Sequence, residues 1–142
     1  MVASMYTPIL GLLFTASAIL LGCGAKSDVE RMPIQGTVSY QNQPVTEGQI
    51  RFIPVGDTKG PVSGAAIRDG AYRMDGRGGV PAGTYRVEIE ARRTIPGGKV
   101  DPLTPGQTPT EQYLPAKYNL QSDLTMTIES GSGTITKDLP LK

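Results

Sequence analysis

The chain has 142 residues, with 14 Lys plus Arg against 13 Asp plus Glu for a net charge of +1, and it contains no His and no Trp. This balance, with no run of like charge longer than Arg92-Arg93, gives no electrostatic footprint for nucleic acid, which is excluded as a partner. A single Cys and the absence of His remove the usual general base, nucleophile–His pairs, His/Cys metal clusters and any intrachain disulfide, so neither a cofactor nor a catalytic site is expected.

Residues 9–21 form the first element, an apolar run without a charge. It is shorter than the ~20 residues of a membrane-spanning helix and suits the apolar region of a signal peptide. The run ends in Leu20-Leu21-Gly22-Cys23. This ending resembles the lipobox of bacterial lipoproteins. The resemblance implies that residues 1–22 are a lipoprotein signal peptide cut between Gly22 and Cys23. It also implies that the Cys23 thiol carries a diacylglycerol and that the new amino terminus usually takes a further acyl chain such as palmitate. Two or more acyl chains anchor a protein stably where one does so only marginally. Residues 23–32 then read as the lipidated Cys and a polar tether, at most ~30 Å long when extended. The tether would hold a domain spanning 33–142 close to the membrane, which is the expected partner at this end. The implied location is the cell envelope, facing the periplasm or the exterior. With Gly24 in place of an Asp, the outer membrane is favoured where one exists.

The remaining chain is rich in turn formers, with Gly (18) and Pro (12) making up about a fifth of the sequence, and both are poor helix formers. Residues 34–41 read as the first strand, with β-branched and aromatic Ile34, Thr37, Val38 and Tyr40, followed by a turn at Asn42-Gln43. Residues 49–55 read as the second, with Ile50 and Phe52 on one face and Arg51 on the other. Pro54 marks an edge or a strand end. Asp69-Gly70 between 63–68 and 71–74 is a hairpin signal, because a two-residue turn needs positive φ at both central positions. A glycine loop over 75–79 follows. In 84–92, Tyr85, Val87, Ile89 and Ala91 alternate with Arg86, Glu88, Glu90 and Arg92, which predicts a strand with one buried and one wet face. The Pro-rich stretch 94–121 is a long connection of the kind that is either functional or pinned by packing. Residues 124–129 alternate again, Ser130-Gly131-Ser132-Gly133 turns the chain, and 134–141 reads as the last strand. About seven short strands separated by turn signals predict an all-β, antiparallel sandwich.

Three segments now resemble one family: Ile34-Gln35-Gly36-Thr37-Val38 followed by Gln43 through Pro54; Arg68-Asp69-Gly70-Ala71-Tyr72-Arg73-Met74; and Val80-Pro81-Ala82-Gly83-Thr84-Tyr85-Arg86-Val87-Glu88-Ile89. They resemble the carboxypeptidase regulatory-like domain, a transthyretin-like (prealbumin-like) seven-stranded Greek-key sandwich. The chain as a whole resembles short bacterial lipoproteins built from one such domain, which often carry a segment like Leu114-Pro115-Ala116-Lys117-Tyr118-Asn119. The resemblance implies an accessory or structural module with no active-site residues to carry over.

Reactive alternatives fail on chemistry. Hydroxyisourate hydrolases of this fold class depend on histidines, which are missing. Glu88 and Glu90 share a strand face with arginines, where cross-strand pairing is the ordinary explanation. Asp57, Asp69 and Asp75 lie in turns for backbone reasons and lack the spacing of a calcium loop. A self-formed isopeptide bond would need a Lys in the first strand and an Asn near the end, and the sequence supplies neither. The candidate partner surface is Tyr113, Lys117 and Tyr118 in the Pro-rich stretch, and an envelope protein is the expected partner class. The alternative is that 94–121 binds an extracellular ligand or glycan. Against both stands the reading in which Tyr113, Leu114 and Tyr118 merely pin the loop to the sandwich, since ordering so many residues needs compensating burial.

Overall fold

The computed structural model describes residues 30–75, 78–100 and 102–142. The expected cleavage and lipidation site at Gly22 and Cys23 lies outside them, and no helix among them is long and apolar enough to cross a membrane. The described chain is mostly antiparallel β, a curled ten-stranded sheet with a separate two-stranded sheet of β1 and β7, and almost no helix. Its strands are β1 (Arg31–Met32), β2 (Ile34–Tyr40), β3 (Gln43–Pro44), β4 (Glu47–Pro54), β5 (Ser63–Arg68), β6 (Ala71–Met74), β7 (Val80–Pro81), β8 (Gly83–Thr94), β9 (Thr110–Gln112), β10 (Thr125–Ile128), β11 (Ile135–Thr136) and β12 (Leu139–Leu141). The main path across the sheet is β10-β8-β4-β5-β6-β2-β11, seven strands long. In addition, β9 pairs with β8, while β3 and β12 pair with β2.

The period-two strands place their apolar sides inside the curl. Ile50 and Phe52 of β4 face inward with Tyr85, Val87, Ile89 and Ala91 of β8, and all six are buried. Register pairs Ile50 with Ile89 and Phe52 with Val87, so the two strands form one apolar seam. Each large side chain so buried contributes on the order of 1.5–3 kcal/mol. Phe52 packs edge-on against Tyr85 at 6.3 Å between ring centroids. Ile34, Val38, Ile67, Tyr72, Met74, Ile128 and Leu141 close the core. The β5–β6 hairpin turns at Asp69 (φ 49°) and Gly70 (φ 81°), the two-residue geometry that its sequence demands.

Three expectations are corrected and one is narrowed. The turn after β2 sits one residue earlier than Asn42-Gln43: Gln41 (φ 51°) and Asn42 (φ 64°) are its central pair, and Gln43 already pairs with Tyr40. Of the two readings of Pro54, the strand end holds: it is the last residue of β4, a central strand between β5 and β8. Arg31 and Met32, assigned to the tether, form β1 on β7, with Met32 buried. The last strand is not one antiparallel element over 134–141. It is two short strands, β11 and β12, both parallel to β2, interrupted at Lys137-Asp138. The cause is a side-chain intrusion: at the break the Asp138 carboxylate, rather than a main-chain carbonyl, accepts the Thr37 N–H at 2.8 Å.

The two ends of β8 lie far apart. The chain comes in at β1, which pairs with β7, and β7 leads directly into the start of β8. β8 has 12 residues, so at roughly 3.3 Å per residue its far end, Thr94, lies about 35 Å from Gly83. The segment 94–110 and the carboxyl-terminal residues therefore gather at the end away from β1.

Candidate functional site

At the end away from β1, β9 pairs with the last residues of β8, Arg92 with Gln112 and Thr94 with Thr110, to make a two-stranded arm. Its exposed apolar side chains include Ile95, Val100 and Leu103, the last 88% exposed. Arg93 and Glu111 pair at 2.8 Å across the arm, and both are solvent-exposed, so this pair is worth a fraction of a kcal/mol. The long Pro-rich connection is thus partly a β-arm and partly a 3-10 turn (Ala116–Tyr118).

Below the arm, three tyrosines converge. The ring centroid of Tyr40 lies 6.3 Å from that of Tyr113 and 6.2 Å from that of Tyr118. The Arg93 guanidinium stands 5.4 Å over the Tyr113 ring and the Lys117 ammonium 4.9 Å over the Tyr118 ring. Burial raises the Tyr113 phenol above its ordinary pKa, against the opposing effect of Arg93. Tyr118 is buried; its hydroxyl donates to the main-chain oxygen of Lys142 and accepts the Lys142 N–H at 2.9 Å. Leu114 is buried beside it, and Asn119 ties the turn down by donating to the Leu114 and Pro115 carbonyls. Of the three residues singled out from sequence, Tyr113 is half-buried, Lys117 is exposed, and Tyr118 is committed to packing. The structure brings all three together and adds Tyr40 and Arg93. Tyr40 carried no signal, since it stands 73 positions from Tyr113 and meets it only in the folded chain. The doublet Arg92-Arg93 was a weak hint.

The carboxylates of β8 behave as ion-pair partners. Glu88 is buried beneath two guanidiniums, Arg51 at 2.9 Å and Arg86 at 2.9 Å, and Glu90 meets Arg51 at 2.6 Å. Arg51 is the cross-strand neighbour of Glu88 in the β4–β8 register. The outer face of β8 is therefore not uniformly wet, because the arginine stems roof over Glu88. Asp75 is bound to Arg73 at 2.7 Å, and Asp69 occupies a turn position. No group of three or more His, Cys, Asp or Glu residues able to hold a metal ion occurs among the described residues.

Comparison with family models, with curated proteins and with solved structures finds no significant match for this chain.

Proposed function

We propose that this protein is a non-catalytic, lipid-anchored cell-envelope module that presents one end of its β-domain to a partner protein. In this reading the domain is a carboxypeptidase regulatory-like, Greek-key sandwich, and Cys23 carries the lipid. The observation that carries the proposal is the opposition of the two ends. The chain comes in at β1, beside the start of β8, while the arm and the Tyr40–Tyr113–Tyr118 cluster stand about 35 Å along β8 at its far end. A tether of ~30 Å or less would orient the first end to the membrane and leave the second free. That second end combines aromatic faces, arginine and exposed aliphatic groups, the composition that recurs at protein interfaces. The glycan-binding alternative has less support, because the Tyr118 ring and hydroxyl are both engaged within the protein.

Two measurements test this. Mass spectrometry of protein extracted from membranes should find an acylated amino-terminal Cys23, and Cys23→Ser should move the protein to the soluble fraction. Membrane retention of an unlipidated chain would refute the anchor. Photocrosslinking from a benzophenone attached to Leu103→Cys, at the arm, should trap a discrete protein partner in cells. Val62→Cys, in the β4–β5 connection at the β1 end, should not. Equal or reversed yields would refute the orientation.

A further inference from the structure

The outer face of β5, β6, β2 and β11 carries a concavity of about 630 Å³ that neither the anchor nor the aromatic end uses. Its middle row runs across the sheet in register: Arg68 stands opposite Ala71, Ala71 opposite Thr37, and Thr37 is bonded to Asp138. Ala66 adds a second methyl, and Gly36, in register with the inward-facing Tyr72, lines the concavity without a side chain, so with Ala71 and Thr37 the floor is made of small residues. Gly36 cannot be larger, because a Cβ there would lie 1.8 Å from the Lys137 carbonyl oxygen.

The charges of the concavity are arranged asymmetrically. Arg73 is already occupied, bonded to Asp75 at 2.7 Å and to the Gln35 side chain at 2.9 Å, and serves as a wall. Arg68 has no ion pair among the described residues; Glu47, opposite it on β4, and Asp69, next in the chain, both stand outside ion-pair range. At the other end of the row, the Thr37 N–H and hydroxyl both bond Asp138 through Oδ1, each at 2.8 Å, which leaves Oδ2 with no partner in the described protein. A cation and a carboxylate oxygen, each without a protein partner among the described residues, thus line the two ends of one small-residue floor. Three inter-strand spacings separate them, about 14 Å between backbones, and the Arg68 side chain reaches across part of that distance.

We propose that this concavity binds a short peptide with free termini, its carboxylate on Arg68 and its ammonium on Asp138. A three-residue peptide is ~10 Å long when extended, shorter than the about 14 Å between the two backbones, with the remainder within reach of the flexible Arg68 side chain. Arginine suits the carboxylate because its planar fork can take both oxygens. A neutral glycan would leave both charges unanswered, and a ligand with only a carboxylate would leave Asp138 facing it. The site is independent of the lipid and of the aromatic end, so its failure leaves the proposed function standing, and the reverse holds too.

Equilibrium dialysis of trialanine against the purified full-length protein is the test, with N-acetyl-trialanine and trialanine amide as the single-charge probes. Saturable binding of trialanine is expected. Arg68→Gln, an exposed position with no bond to lose, should weaken it about tenfold or more. Ala71→Leu should abolish it by filling the floor while leaving the thermal transition in place. Each single-charge probe should bind about tenfold more weakly than trialanine. No saturable binding, equal binding by Arg68→Gln, or equal binding of the acetylated probe would overturn the proposal.

Discussion

The β4–β8 ladder and the carboxyl-terminal strip β11–β12 lie in the same sheet and are held by different physics. The ladder is antiparallel, seven register pairs long, and buries an unbroken apolar seam. The strip is parallel, short, broken in the middle, and fixed to β2 by polar contacts around Lys137-Asp138. The ladder draws its stability chiefly from area removed from water, whereas the strip buries only Leu141 fully and adds individually placed hydrogen bonds, so the two should respond to mutation on different scales. The largest effect belongs to the ladder. Phe52→Ala, which opens a cavity beside Tyr72 and Tyr85, should cost about 3–5 kcal/mol by urea denaturation. A loss under about 1 kcal/mol would mean the seam is not the core.

The next effect falls where the strip crosses β2. Gly36→Ala places a methyl against the Lys137 carbonyl, and backbone cannot give way as a flexible side chain can. The expected cost is about 1–3 kcal/mol, the range for forced overpacking. Hydrogen exchange should show the loss concentrated in β11 and β12, with the β4–β8 amides protected as before. Uniform loss of protection would show that strip and ladder are one cooperative unit.

The same contrast explains what the sequence made legible. Tyr85-x-Val87-x-Ile89-x-Ala91 declares a half-buried strand because the period of its side chains is the period of the strand, and Asp69-Gly70 declares its turn because few other pairs tolerate positive φ twice. Gln41-Asn42 hid its turn because Gln is not a left-handed residue; the Tyr40–Gln43 pairing imposes the conformation. The burial of Glu88 was invisible because it depends on Arg51, from another strand. The strip was read as one antiparallel strand because nothing in 134–141 announces that Asp138 will replace a ladder bond 101 positions away. Of the candidate site, Tyr113, Lys117 and Tyr118 were found from their local cluster. Tyr40 and Arg93 join them only through pairings that sequence spacing does not encode.

A smaller effect sharpens the comparison through pH. The Tyr72 hydroxyl donates to the Lys137 carbonyl at 2.8 Å, joining the ladder side of the sheet to the strip. Tyr72→Phe should cost about 0.5–1.5 kcal/mol at neutral pH. Burial first, and the Asp138 charge second, raise the Tyr72 phenol well above its ordinary value of 10.0. A raised folded-state value means the stabilising contribution is complete below pH 10 and is lost as pH rises beyond it, since the unfolded chain ionises first. The melting temperature should therefore fall more steeply above pH 10 in the parent than in Tyr72→Phe; parallel slopes would remove Tyr72 from the account.

The smallest effect is at Asp138, which is fully solvent-exposed, so water competes with its bonds to Thr37. Those bonds, the hydroxyl's first and the main chain's second, hold its carboxyl below the ordinary value of 3.8. A lowered folded-state value means the contribution is present above that pH and disappears as pH falls through the folded value. Asp138→Asn should thus be less stable than the parent near pH 7 and indistinguishable from it near pH 2, measured by urea denaturation. A gap that persists in acid would assign the loss to altered packing of the strip rather than to the charge. The substitution should also lower the Tyr72 phenol value, because the Asp138 charge is one of the two causes that raise it. The alkaline limb of the stability profile runs through the Lys137 carbonyl and the acid limb through the adjacent Asp138 carboxylate on Thr37, so both limbs converge on the Lys137-Asp138 break in the strip.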